Sequence, residues 1–153
     1  VNRQQEFDED QFAHAVIRIQ LGNEWLEISP GEPGVSNPRS LDGLIHVVSG
    51  CNPGYRETEQ VNSRRHQELE LRLRELGSDP RPAVGMSPDG SWLEPSWAVV
   101  GLSRETVCAL GREFGQVAVF EIDSQRIQVV RCADSEVVSA RPCRVVEVPL
   151  SGS

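Results

Sequence analysis

Glu94 is the residue of this sequence best suited to chemistry. It lies in the run Gly90-Ser91-Trp92-Leu93-Glu94-Pro95-Ser96, where a carboxylate beside a turn could act as general base towards a polar substrate. Three side-chain amides, Asn52, Asn62 and Gln116, could orient such a substrate through their paired donors and acceptors. Arg65, or Arg64 before it, would hold an anionic group such as phosphate with bidentate donors. Trp92 would give an apolar or stacking wall for a base or sugar, and His66 follows Arg65 directly. A bland reading stands beside each of these. Glu94 next to Pro95 could be an acceptor for backbone N–H groups at a bulge, and Asn62 could do no more than tie down the Asn52-Pro53 turn.

Other chemistries find little support. His14, His46 and His66 are scattered, and no pair has metal-ligand spacing. A hard ion held by Asp89 and Glu94 has nothing further to recommend it. Cys51, Cys108, Cys132 and Cys143 match no zinc or redox spacing. Cys51 as a nucleophile would need a base, and His66 is the one candidate. No Walker loop, Gly-x-Gly-x-x-Gly or Gly-x-Ser-x-Gly elbow occurs. All fifteen basic residues are Arg, which removes Schiff-base lysine chemistry and a P-loop lysine. No metal is implied, and the residues do not say whether a cofactor is used.

The 153 residues suffice for one domain with a proper core. A formal net charge of −8 argues against general binding to nucleic acid or to a membrane surface, both of which favour a basic face. The polar, acidic first residues are unlike a leader, and no apolar run approaches the ~20 residues that span a bilayer. A cytoplasmic protein with reduced thiols is expected.

The elements that must position the candidate residues follow from periodicity and turn signals. Residues 1–11 read as a polar arm. From Phe12 the alternation through Ala13, Ala15, Ile17 and Ile19 predicts a half-buried strand, and Gly22-Asn23 turns it into a returning strand over 24–28. Leu44 to Val48 reads as a strand covered on both faces. A helix over 58–76 follows, with Thr58 as N-cap and Gly77 just past its end. Strands are expected over 83–86 and 91–102, where Pro95 suggests an edge or a bulge. Ser103 caps a helix to Phe114, ended by Gly115, and strands over 117–122 and 127–130 complete the domain. The extension 132–153 has room for one edge strand or hairpin.

The order β-β-β-α-β-β-α-β-β predicts an α/β fold at the α+β border: one domain, 12–131, with a mixed sheet and two main helices. Strand 83–86 would run parallel to strand 44–48 in a right-handed crossover. If each connection is short and crosses the sheet once, Asn52, the start of helix 58–76, Trp92 to Glu94 and Gln116 meet at one rim. Crevices in open α/β sheets lie at such rims.

Asn52-Pro53, Asn62 with Arg65, Gly90-x-Trp92-x-Glu94-Pro95-Ser96, Gly101 and Phe114-Gly115-Gln116-x-Ala118 together resemble the bacterial family numbered 3293 among the domains of unknown function. The resemblance spans about Phe12 to Val130. It departs at Cys51, where an aromatic or small residue is commoner before Asn-Pro, and at Trp97, where Phe is more usual. It implies a domain and a set of clustered positions but no reaction.

Three functions stay open on these grounds. One is binding of a small polar or anionic, nucleotide-like ligand by Asn52, Asn62, Arg65, His66, Trp92 and Gln116. Another is a hydrolase or transferase with Glu94 as base. The third is a protein-interaction adaptor using the Arg- and Glu-striped face of helix 58–76, with no particular protein partner indicated.

Overall fold

The computed structural model describes residues 12–149 apart from 35 and 54, so the expected arm over 1–11 lies outside the described residues. In chain order the elements are β1 (Val16–Leu21), β2 (Glu24–Pro30), β3 (Ile45–Val48), α1 (Glu59–Glu75), β4 (Arg81–Met86), β5 (Leu93–Val100), α2 (Arg104–Glu113), β6 (Ala118–Ile122), β7 (Arg126–Arg131) and β8 (Val137–Val148). The apolar alternation before β1 is real in burial, since Ala13 and Ala15 are both buried, but residues 12 and 13 form a helical turn.

The sheet is not the open, mixed α/β sheet expected. Eight strands close into a barrel in the order β1-β2-β8-β7-β6-β3-β5-β4, and each pairing is antiparallel. β4 does run in the same direction as β3, but β5 lies between them and pairs with both. β8 closes the barrel. It pairs with β2 on one side and β7 on the other, so what looked like an edge strand leaves no open edge to template aggregation.

Pro95 illustrates how position overrides strand identity. β5 is paired on both sides, yet β3 stops at Val48, opposite Trp97. Beyond that point β5 faces β4 alone, with Pro95 opposite Val84. The missing N–H therefore falls where no ladder partner exists, and the Pro95 carbonyl accepts a hydrogen bond from Ser49 Oγ at 3.1 Å.

An eight-stranded barrel has an interior just wide enough for side chains to fill. Here Ile17, Ile19, Leu26, Val47, Ile122 and Val145 are among those that fill it. A second core lies outside the barrel wall. Leu69 and Leu73 of α1, with Val107, Leu110 and Phe114 in and after α2, pack on Trp97, Val99, Val119 and Val130. β3 is thus buried along its whole length, as its continuous apolar run requires. Both helices begin as their sequences dictate: Thr58 Oγ1 accepts from the Val61 N–H and Ser103 Oγ from the Thr106 N–H.

Candidate functional site

β3 ends, α1 begins, β5 begins and α2 ends at one rim of the barrel. The expected convergence needs only strand direction and short connections, and so it holds although the sheet is closed.

The centre of this rim is the segment after β3. Asn52 takes a left-handed conformation, φ 50°, which Asn tolerates better than most residues. Its N–H donates to Asn62 Oδ1 at 2.9 Å, and its own Oδ1 accepts from Asn62 Nδ2 at 2.9 Å and from the Glu57 N–H at 3.0 Å. Asn52 Nδ2 donates to Glu94 Oε1 at 3.2 Å. Gln116 Nε2 donates to the Cys51 carbonyl at 2.8 Å and to that of Phe114 at 3.3 Å. Gly115 is required here: at φ 73° a Cβ would be strained, and it would lie 2.5 Å from Pro53 Cβ.

Arg65 also reaches the rim but is occupied. Its Nε donates to the Gly50 carbonyl at 2.6 Å and its Nη2 to the Phe114 carbonyl, while the guanidinium lies over the Phe114 ring, 5.6 Å from its centroid. Two of the five Arg65 donors fasten two chain segments. His66 is not brought to the rim. Its ring stacks on Trp97 at 4.4 Å and burial lowers its pKa, only partly offset by Glu70, so it is a neutral packing residue with a buried, unpartnered Nδ1. Cys51 is buried too. Burial first, and then the charge of Glu94, raise its pKa, which makes it a poor nucleophile.

Asn62 has its oxygen and amide nitrogen bonded within the turn, which favours the tying role over ligand recognition. Asn62→Ala should cost about 2 kcal/mol in urea denaturation, because it strands the Asn52 N–H and frees the turn. A cost near zero would mean that the turn holds itself.

Glu94 differs from its neighbours. It shares the inward parity of Ser96 and of Ala98, a barrel-core residue, and so sits at the barrel mouth. It is half-buried. Oε1 accepts from Asn52, while Oε2 receives no donor among the described residues. Burial pushes its pKa up to about 7, against the lowering effect of the Asn52 hydrogen bond. Trp92 flanks it: the indole lies 3.7 Å from where a Cβ on Gly85 would stand, and Gly85 is the residue paired with Glu94. The arrangement can accept a proton or a hydrogen bond beside an aromatic face.

A second polar constellation has no counterpart among the expected site residues. His46 and Glu121 are directly opposed on β3 and β6, on the outward face beneath the start of α2. Glu121 Oε2 pairs with His46 Nε2 at 2.8 Å and accepts from Arg104 Nε at 2.9 Å; Oε1 accepts from Arg104 Nη2 at 2.6 Å and Gln128 Nε2 at 2.9 Å. Arg104 foremost, with His46, holds the carboxyl down at about 2 against burial. The ionised carboxylate accepts from Nε2, while the buried Nδ1 has no partner among the described residues. A lone Glu inside the apolar run Ala118 to Ile122 was the available signal.

Among the described residues no group of three or more His, Cys, Asp and Glu could hold a metal, and no helix is long and apolar enough to cross a membrane. No curated protein and no solved structure matches the chain. The family match is shorter than the span of the motif resemblance; it leaves out β1, β2, β7 and β8 but contains Asn52, Asn62, Glu94 and Gln116. Over residues 48–119, the chain matches the family described as a protein of unknown function, DUF3293.

Proposed function

We propose that this protein binds a small polar ligand at the barrel mouth, with Glu94 as the recognising group and Trp92 as a wall. The observation that carries this reading is the state of Glu94: a half-buried carboxyl with one oxygen held by Asn52 and the other without a donor. That second oxygen is not among the buried atoms without a partner, so it is open at the mouth to a donor that a ligand supplies. Mouths of β-barrels are common ligand sites. The ligand class is therefore one with hydroxyl or N–H donors and a face that packs on indole, such as a sugar or nucleoside. An anionic group has less behind it, because Arg65 is held in place by the Gly50 and Phe114 carbonyls through Nε and Nη2.

Catalysis is the second reading, and one observation favours it. A carboxyl that titrates at about 7 is matched to general acid–base work near neutral pH, so Glu94 could serve a hydrolase or transferase. The adaptor reading gains nothing comparable. On the outer face of α1, Arg72 pairs with Glu75 and Glu113, and Arg74 with Glu70, as on an ordinary solvated face.

The test is a ligand-observed NMR screen of nucleosides, nucleotides, sugars and sugar phosphates against the wild type and Glu94→Gln. The expected result is a hit whose affinity falls about tenfold or more in the variant. Absence of any hit, or a hit indifferent to Glu94→Gln, overturns the binding reading. Turnover of the hit by the wild type alone would move it to catalysis.

A further inference from the structure

The Glu94 mouth lies past the end of β3, whereas β3 starts beside the β6–β7 turn, with Ile45 opposite Ile122. Near that turn is a cleft of about 600 Å³, open to solvent, whose lining includes Glu32, Ser36, Ser40, Gln125, Arg126 and Cys143. This volume falls in the range of small-molecule sites.

The cleft is formed by segments fastened to one another. Asn37 Nδ2 donates to the Ser124 carbonyl, and Asn37 Oδ1 accepts from the Val145 N–H at 2.9 Å. Ser124 Oγ accepts from the Leu41 N–H at 2.6 Å and donates to the Leu41 carbonyl at 3.1 Å. The Gly31 N–H donates to the Pro142 carbonyl at 2.9 Å, and a Cβ on Gly31 would meet the Cys143 backbone at 3.1 Å. Gly31, Asn37 and Leu41 of the β2–β3 connection are thereby pinned to β8 and to the β6–β7 turn before any ligand arrives. Ordering costs are largely met in advance.

Its charges are uncommitted. Several guanidinium groups of this chain are paired with carboxylates, as Arg18 with Glu27, Arg39 with Glu24, Arg104 with Glu121 and Arg131 with Asp134. Arg126 and Glu32 line one cleft, yet their side chains make no ion pair or hydrogen bond among the described residues. An anion would meet Arg126 but also the Glu32 carboxylate; a cation would meet the reverse. A ligand with both charges complements both walls. Cys143 is no nucleophile for such a ligand, since burial and Asp123 push its thiol up to about 11.

We propose that this cleft binds a small zwitterion, a free amino acid or dipeptide, with its ammonium at Glu32 and its carboxylate at Arg126. The test is saturation-transfer NMR on the full chain, with the twenty common amino acids and a set of glycine-containing dipeptides as probes. Wild type, Arg126→Gln and Glu32→Gln are compared. Both side chains are exposed, and the fold of each variant is checked by its amide spectrum. The expected result is saturation by at least one free zwitterion, weakened about tenfold or more in each variant. The N-acetylated form of that probe should be indifferent to Glu32→Gln, and its carboxamide indifferent to Arg126→Gln. Lack of binding by every probe, or weakening in neither or only one variant, overturns the proposal. Because the sites lie at opposite ends of β3, this outcome is read independently of the Glu94 ligand.

Discussion

Glu121→Ala should lower the stability of the protein by about 3 kcal/mol, and the melting temperature by roughly 6–12 °C. The Glu121 carboxylate is 4 % exposed and anchors Arg104, His46 and Gln128 at once. Removing it leaves three buried or half-buried donors with no acceptor, and that loss, rather than the attraction within the pair, sets the cost. The figure sits at the low end for buried pairs because the Arg104 side chain is 35 % exposed and can turn to water. Glu121→Gln should also destabilise, since its amide NH2 would face the guanidinium donors.

The pH dependence provides an internal check. The folded carboxyl is held at about 2 against an ordinary 4.5, so its contribution is fully present above 4.5 and is lost as pH falls towards 2. The stability curves of wild type and Glu121→Ala should therefore lie apart at neutral pH and converge in acid. A difference under about 1 kcal/mol at pH 7, or one that does not shrink in acid, would show the cluster to be an ordinary surface pair.

The same cluster marks the limit of what the sequence discloses. That His46 faces Glu121 depends on the register of β3 against β6, which no local pattern carries. Local features were legible: Thr58 and Ser103 cap α1 and α2, and Gly77 and Gly115 follow with φ of 83° and 73°. The rim around Asn52 was legible because strand direction and connection length suffice to locate it. Closure of the barrel was not. β8 buries only Cys143 and Val145 and carries Pro142 in its interior, so its alternation is too weak to announce a strand paired on both sides. Arg65 was misleading for a related reason. Its position on α1 is periodic, but the carbonyls that take up two of its donors come from Gly50 and Phe114, 15 and 49 positions away.

Glu94→Gln should act in opposite senses on binding and on stability, which separates a functional carboxyl from a scaffold acceptor. The folded pKa of Glu94 is raised to about 7 from an ordinary 4.5. The folded state thus holds its proton where the unfolded chain has released it, and stability falls as pH rises from 4.5 to 7. Above 7 the wild type carries the full cost of an ionised, half-buried carboxylate with one donor, about 2 kcal/mol. Gln keeps the shape and an oxygen for Asn52 Nδ2 without the charge. The variant should melt about 4–8 °C higher at pH 8, and the two proteins should coincide at pH 4. At the same pH 8, its affinity for the ligand should fall about tenfold or more, because an ionised acceptor has been exchanged for a neutral one. Gain of stability with loss of binding is the signature of a site kept at the expense of the fold. A variant destabilised at both pH values would make Glu94 a structural acceptor for the Asn52 turn and remove the site from the barrel mouth.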